Sequence, residues 1–300
     1  MKTYKIYQVD SFTRDGFHGN PAGVVPDAKG LTDEQMLRIA RELNNSETAF
    51  MFETDSPDYN IEVRFFTPTT EVPICGHATI AAHYVRAKER NMEGGTVVQK
   101  TKAGILPVEV VRTLSDYSIT MTQGTPAVSA PFGDAVRERI ADALGIAHEE
   151  ICREYPVAVA STGHSKVMVP LYSNELLHGL RPDLQKLTKI SKQIECNGYY
   201  VFTLNPQNKI LVHGRMFAPA IGIAEDPVTG NANGPLGAYL VHFNILQEED
   251  APCFDFDILQ GEAIKRDGTM HVHVEKEHGA PKLVQITGNA VIAFSTEIAI

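Results

Sequence analysis

The chain has 300 residues, 43% hydrophobic and 21% charged, a composition suited to a sizeable core and too apolar for a disordered polymer. That length is long for a single core and predicts two domains. A formal net charge of −10 argues against nucleic acid and anionic membranes as partners, since both repel it, and leaves a small or neutral molecule.

The opening Met1-Lys2-Thr3-Tyr4-Lys5-Ile6-Tyr7 has no apolar signal segment, and no run of eighteen apolar residues follows. The four cysteines, Cys75, Cys152, Cys196 and Cys253, are widely spaced. Together these features predict a reduced, cytoplasmic chain without a disulfide framework.

Taken in chain order, Thr32 and Gln35 form a capping box ahead of Met36, Ile39, Ala40 and Leu43, which share one helix face. Glu47 follows this helix and opens the apolar strand Thr48-Ala49-Phe50. Ile61, Val63 and Phe65 alternate with polar residues, as do Tyr117, Ile119 and Met121; both are half-buried strands of the kind found in antiparallel sheets. Turn-rich sequence from Gln123 to Gly133 marks a domain boundary. A second amphipathic helix carries Val136, Ile140 and Leu144 and stops at Gly145, and a third begins after Pro182 with Leu184, Leu187 and Ile194 inward. Arg266-Asp267-Gly268-Thr269 carries a tight-hairpin signal. His271 and His273 alternate on one strand face. With no third or fourth ligand nominated, they are read as solvated rather than metal-binding. Dinucleotide, P-loop, HExxH and GxSxG signatures are absent, and Gly230, Gly234 and Gly237 have the wrong spacing for a dinucleotide loop.

An internal repeat is the most informative feature. Glu71-Val72-Pro73-Ile74-Cys75-Gly76-His77-Ala78 aligns with Glu225-Asp226-Pro227-Val228-Thr229-Gly230-Asn231-Ala232. Upstream, Phe66-Thr67-Pro68 aligns with Phe217-Ala218-Pro219, and Asn20-Pro21-Ala22-Gly23-Val24-Val25-Pro26 more weakly with His164-Ser165-Lys166-Val167-Met168-Val169-Pro170. Three matches in one order predict a module used twice. Each copy leads through a glycine into small and apolar residues, Ala78–Val85 and Ala232–Val241, as expected for a buried helix. Gly76-His77 and Gly230-Asn231 then lie at helix N-termini, where unpaired N–H groups and the helix dipole favour an anion. One such terminus stabilises a carboxylate by about 0.3–1 kcal/mol when exposed and up to about 2 kcal/mol when partly buried.

The side chains there are reactive types. Cys75, at a helix N-terminus, is a candidate nucleophile or base, or simply a small buried residue. Thr229 holds the equivalent place and cannot act as a carbon-acid base, which argues against a racemase with two symmetric thiols. His77 can pass a proton near neutrality or cap the helix. Asp226 can fix a donor, polarise a substrate or satisfy loop N–H groups.

These motifs together resemble the phenazine-biosynthesis isomerase (PhzF-like) family, within the diaminopimelate epimerase-like fold. The resemblance rests on Asp10-Ser11-Phe12-Thr13, Gly19-Asn20-Pro21-Ala22-Gly23-Val24, Ser46-Glu47-Thr48-Ala49-Phe50, Arg64-Phe65-Phe66-Thr67-Pro68, Cys75-Gly76-His77-Ala78-Thr79, and Gly222 through Ala232. It runs over essentially the whole chain and looks closest to the YddE-like branch. It implies an α+β fold of two pseudo-symmetric domains, each a curved, barrel-like antiparallel sheet around a central helix. The first domain would take residues 1–125, joined by a C-terminal strand at 288–300; the second would take 126–287. An active site between them, a homodimer, and no metal or cofactor are also implied.

By the same resemblance Glu47 is the general acid/base, and His77 and Asp226 complete the catalytic set. Gly76, Gly230, Asn231, Cys75, Thr229 and Asn20 are expected to contact the substrate. Asn231 departs from the serine of the phenazine enzyme. The expected function is a cofactor-independent isomerase that moves a proton on a small, cyclic amino or hydroxy carboxylic acid. A glutamate in an apolar cleft would have a raised pKa, and helix N–H groups would stabilise enolate-like charge. The alternatives are a Cys75-dependent epimerase or dehydratase of the same fold, and a metabolite-binding protein without chemistry.

Overall fold

In the computed structural model, which describes residues 2–246 and 251–300, the predicted capping box forms. Thr32 Oγ1 accepts from the Gln35 N–H, and the Gln35 side chain accepts from the Thr32 N–H, opening helix α1 (Asp33–Leu43). The chain divides into two compact units, Met1–Thr122 with Thr287–Ile300, and Gln123–Ile286. The architecture is α+β.

The first unit contains β1 (Thr3–Ser11), β2 (Asn20–Val25), α1, β3 (Thr48–Glu53), β4 (Ile61–Phe66) and β5 (Glu71–Val72). It continues with α2 (Gly76–Arg90), β6 (Gly95–Thr101), β7 (Gly104–Arg112) and β8 (Tyr117–Thr122), and β18 (Ala290–Ala299) closes it. Strand β1 lies antiparallel to both β18 and β2; β2 is parallel to β3, β3 antiparallel to β4, and β4 parallel to β6. An antiparallel meander β6–β7–β8 follows. Helix α2 is buried from His77 through Val85 and packs against β1, β2, β3, β7, β8 and β18 of its own unit, which requires a sheet curled around it. Outside that sheet, α1 lays Met36, Ile39 and Ala40 against Phe50 and Phe66. Burying a side chain the size of Met36 or Ile39 contributes about 1.5–3 kcal/mol.

The second unit contains β9 (Ala127–Val128), α3 (Asp134–Leu144), β10 (Ala158–Ser161), β11 (Ser165–Pro170), α4 (Asn174–Gly179) and α5 (Leu184–Ile194). Then come β12 (Tyr199–Leu204), β13 (Ile210–Ala218), β14 (Ile223–Asp226), α6 (Gly230–His242), β15 (Cys253–Gln260), β16 (Gly268–Glu277) and β17 (Ala280–Gly288). Its pairings repeat those of the first unit. Strand β10 is antiparallel to β11, β11 parallel to β12, β12 antiparallel to β13, β13 parallel to β15, and β15 antiparallel to β16. The small strands β5 and β14 each sit antiparallel on the strand that precedes them. Helix α6, buried from Ala232 to Val241, packs against β9, β10, β11, β15 and β16. Outside the sheet, α3 and α5 cover a core containing Ile140, Leu144, Leu187, Ile190, Tyr199 and Phe217.

A pair of ion clamps confirms the repeat at side-chain level. Arg64 holds Glu71 with two parallel hydrogen bonds of 2.8 Å, and Arg215 holds Glu225 the same way at 2.9 and 2.7 Å. Each guanidinium also lies over the phenylalanine two residues on, Phe66 or Phe217. Glycines let α6 sit close to its surroundings: a Cβ on Gly237 would meet Val274 at 2.7 Å, and one on Gly234 would strike the Gln123 side chain. Close packing explains these glycines.

Two expectations change. The sheets are mixed rather than purely antiparallel, because the helical crossovers α1, between β2 and β3, and α2, between β4 and β6, return the chain in its original direction. Asp267-Gly268 does not form a tight hairpin. Gly261, at φ +95°, turns the chain seven residues before β16, and Gly268 is already paired with Gln260. Two-residue links occur instead at Lys102-Ala103, between β6 and β7, and at His278-Gly279, between β16 and β17.

Candidate active site

In the first unit, Glu47 and His77 meet where β3 begins and α2 begins. The Gly23 N–H donates to the Glu47 carbonyl at 3.3 Å, so pairing with β2 holds the Glu47 backbone just ahead of β3. His77, in the first turn of α2, has its carbonyl held by Ser11 Oγ at 2.8 Å. Glu47 Oε2 lies 3.4 Å from His77 Nε2, with side-chain exposures of 17% and 8%. Ser46 Oγ is 3.3 Å from the same nitrogen, and Cys75 Sγ is 3.4 Å from Nδ1 and 4.0 Å from Nε2. The imidazole thus lies beside both a carboxylate and a thiol. A separation of 3.4 Å is long for a formed hydrogen bond and suits a pair that tightens around a bound substrate.

Cys75 occupies the N-cap of α2 in extended conformation, yet its side chain accepts no capping hydrogen bond from the helix. Thr79 Oγ1 donates to the Cys75 carbonyl at 2.7 Å and fixes the cap. A Cβ placed on Gly76 would meet only Met121 Sδ, at 3.8 Å, so the space beside the first N–H groups is open within this unit. Asn20 is buried at the start of β2, opposite Ser11. Gly19 precedes it at φ +62°, and a Cβ there would collide with the Ser11 carbonyl oxygen at 2.1 Å. That turn requires glycine.

In the second unit, Thr229 is the N-cap of α6, and its side chain likewise makes no cap hydrogen bond. Its hydroxyl donates to Asp226 Oδ2 instead. Gln260, at the end of β15, ties the loop together: its Nε2 donates to the Asp226 carbonyl at 2.8 Å and to Thr229 Oγ1 at 3.1 Å, while its Oε1 accepts from the Thr229 N–H at 3.2 Å. Asn233, one turn into α6, donates to the same Oε1 and to the Thr229 carbonyl, matching Thr79 in the first copy. Asn231 leaves helical geometry at φ −79°, ψ 16°, and its Oδ1 is buried with no partner. The Gly230 carbonyl accepts from Gln123 Nε2 at 2.9 Å. Glu47, Cys75, Gly76 and His77 are therefore one group, and Asp226, Thr229, Gly230 and Asn231 another.

Sequence reasoning missed Gln260, which organises the Asp226 loop, and Lys166, buried in β11. Burial pushes the Lys166 ammonium down, and the nearby Cys196 and Asp226 side chains oppose that shift. A lysine directly before the apolar stretch Val167-Met168-Val169 was the available signal. Nothing local identifies Gln260.

The chain matches the family model described as phenazine biosynthesis-like protein over residues 9–296. It belongs to the PhzF family. Within this isomerase family, the protein is 52% identical to an uncharacterised isomerase of Clostridium acetobutylicum, with 99% of each chain covered. It is 48% identical to the uncharacterised isomerase YddE of Escherichia coli K12, covering 99% of this chain and 98% of YddE. A PhzF-family crystal structure from Bacillus anthracis superposes with a TM-score of 0.89 at 32% identity over the whole of both chains. The fold extends to a hydroxyproline epimerase of Agrobacterium vitis solved with trans-4-hydroxy-L-proline, at a TM-score of 0.63 and 11% identity, over 99% of this chain and 93% of that one.

The donor atoms of Glu47, Cys75 and His77 lie within 4.8 Å of one another in this PhzF-family protein, a set that a zinc-like cation accepts. The same atoms form an acid/base constellation, and chelation separates the two uses.

Proposed function

We propose that the protein is a cofactor-independent isomerase that moves a proton on a small carboxylic acid of the cyclic amino or hydroxy class, with Glu47 as general base and acid. The observation that carries this reading is the partly buried Glu47–His77 pair beside a helix N-terminus whose cap side chain leaves the terminal N–H groups to a ligand. The substrate carboxylate binds those N–H groups. Glu47 takes a proton from a neighbouring carbon, and the C–H electron pair moves into the carboxylate-conjugated system as enolate-like charge. Backbone N–H groups stabilise that charge, and His77 holds Glu47 in place. Glu47 then returns the proton to a different carbon as the double bond shifts, so no oxidant or reductant enters. A positioned general base contributes about 10²–10⁴-fold in rate. Asp226, Thr229, Gly230, Asn231 and Asn20 are assigned to the same reaction as binding or positioning groups.

The isomerase family and the 48–52% identical relatives support this class of reaction. The test is to incubate the protein in D₂O with a panel of small cyclic amino and hydroxy acids and read deuterium incorporation by mass spectrometry. A panel member that gains carbon-bound deuterium identifies the substrate class. Incorporation that requires added metal or nucleotide overturns cofactor independence.

One observation favours a second reading: Cys75 Sγ stands 3.4 Å from His77 Nδ1, the spacing of a thiol with its own base. In that case Cys75 removes the proton, as in an epimerase or dehydratase. Thr229 at the matching position supplies no second base. Cys75→Ser separates the two mechanisms.

A further inference from the structure

His178, at the end of α4, His213, on β13, and Glu262, just beyond β15, converge in the second unit at a place the proposed reaction does not use. His213 Nδ1 is 2.7 Å and His178 Nε2 is 3.1 Å from one atom, Glu262 Oε2. The three donor atoms lie within 4.8 Å of one another. We propose that His178, His213 and Glu262 form a binding site for a zinc-class divalent transition metal.

Two imidazoles and one carboxylate are a donor set for such a cation, with a fourth position left to water. Donors about 2.0–2.2 Å from a tetrahedral metal stand about 3.3–3.6 Å apart, so the observed 2.7 and 3.1 Å need to open by less than about 1 Å. The metal takes the place of the hydrogens that now bridge the imidazoles to the carboxylate. His178, whose side chain is 36% exposed, keeps one side open to solvent. The nearby Arg215 guanidinium opposes a cation, but Glu225 neutralises it with two hydrogen bonds.

The site would join three elements. Glu262 follows Gly261, where a Cβ would lie 2.9 Å from the Pro227 carbonyl oxygen, so its loop packs directly on the loop carrying Asp226. Bound metal therefore ties the end of α4 and β13 to the segment that positions Asp226 and Thr229.

Among the described residues, two other groups of donors, Glu47–Cys75–His77 and Cys253–Asp255–His273, each include a thiol. The test exploits that difference. Untagged, chelator-stripped protein is titrated with Zn²⁺ against a chromophoric chelator, and with Co²⁺ while the absorption spectrum is recorded. The same titrations follow for His213→Asn and for His178→Gln, the latter at an exposed helix end that a substitution leaves folded. The expected result is that each variant binds one Zn²⁺ fewer per chain than wild type, with unchanged circular dichroism. The Co²⁺ bound by wild type but lost in the variants shows visible bands without thiolate charge transfer. Unchanged stoichiometry in either folded variant overturns the proposal. So does thiolate charge transfer from the lost Co²⁺.

Discussion

Arg64 and Arg215 hold equivalent places in the repeat, yet the structure predicts very different costs for losing them. Arg215 has only 6% of its side chain exposed and its partner Glu225 13%. Besides Glu225, it donates to the Leu177 and Leu180 carbonyls at 3.0 and 3.2 Å, closing the end of α4. Arg215→Met strands a buried carboxylate and those carbonyls, and breaking a buried pair in this way costs about 3–5 kcal/mol. Arg64 is 21% exposed, and Glu71 keeps a second cation, Lys102, when the guanidinium is removed. Arg64→Met therefore costs about 1–2 kcal/mol, the range for lost hydrogen bonds to a carboxylate that stays paired. Urea unfolding followed by circular dichroism and tyrosine fluorescence measures both, the chain having no tryptophan. Hydrogen exchange of Arg215→Met should show α4 losing protection first. Arg215→Met/Glu225→Met should recover a large part of the loss, because no charge is then left unpaired. A loss below about 1 kcal/mol for Arg215→Met, or equal losses at the two positions, refutes the reasoning about burial and the remaining partner.

Cys75→Ser keeps the α2 terminus and should retain most of the turnover; a loss of several orders of magnitude in a folded variant transfers the chemistry to the thiol. Turnover should survive exhaustive chelation and dialysis, and activity lost and then restored by one metal contradicts the acid/base reading of Glu47, Cys75 and His77. Burial pushes His83 down to about 4, against which the Gln99 hydrogen bond pulls it up. Its neutral form is therefore favoured in the fold, and the associated stability is present above the unfolded value near 6.5 and lost as pH falls toward 4. His83→Gln should flatten the pH dependence of unfolding in that window by about one proton, and an unchanged slope contradicts it. Thr32→Ala removes one hydroxyl acceptor from the α1 capping box and should cost about 1 kcal/mol by urea unfolding; no measurable change would contradict the cap.

What the sequence made legible was local or repeated. The Thr32–Gln35 box needs only three residues of separation, and Gly145 stops α3 by adopting the left-handed conformation at its end. Both central helices were visible because small and apolar residues follow each glycine without a polar face. Glu47 and His77 were nominated by motif, but their approach depends on β2 holding β3, a pairing that neither motif encodes. The parallel pairs β4–β6 and β13–β15 were hidden for the same reason, since each joins strands separated by a helix. Asp267-Gly268 misled because Gly261 had already turned the chain. His271 and His273 do share a strand face, and the structure adds what spacing alone could not show: Asp255 and Asp257 on β15 pair with them.

The central claim is that the Glu47 carboxylate moves the substrate proton. Glu47→Gln preserves size and hydrogen bonding and removes the basic lone pair, so it separates binding from chemistry. With a substrate found in the panel, both proteins are incubated in D₂O, and carbon-bound deuterium in recovered substrate and product is measured by mass spectrometry. Binding is followed in parallel by calorimetry. The account predicts deuterium at the product carbon with wild type, and none with Glu47→Gln despite retained binding. Wild-type exchange and turnover by Glu47→Gln would contradict it.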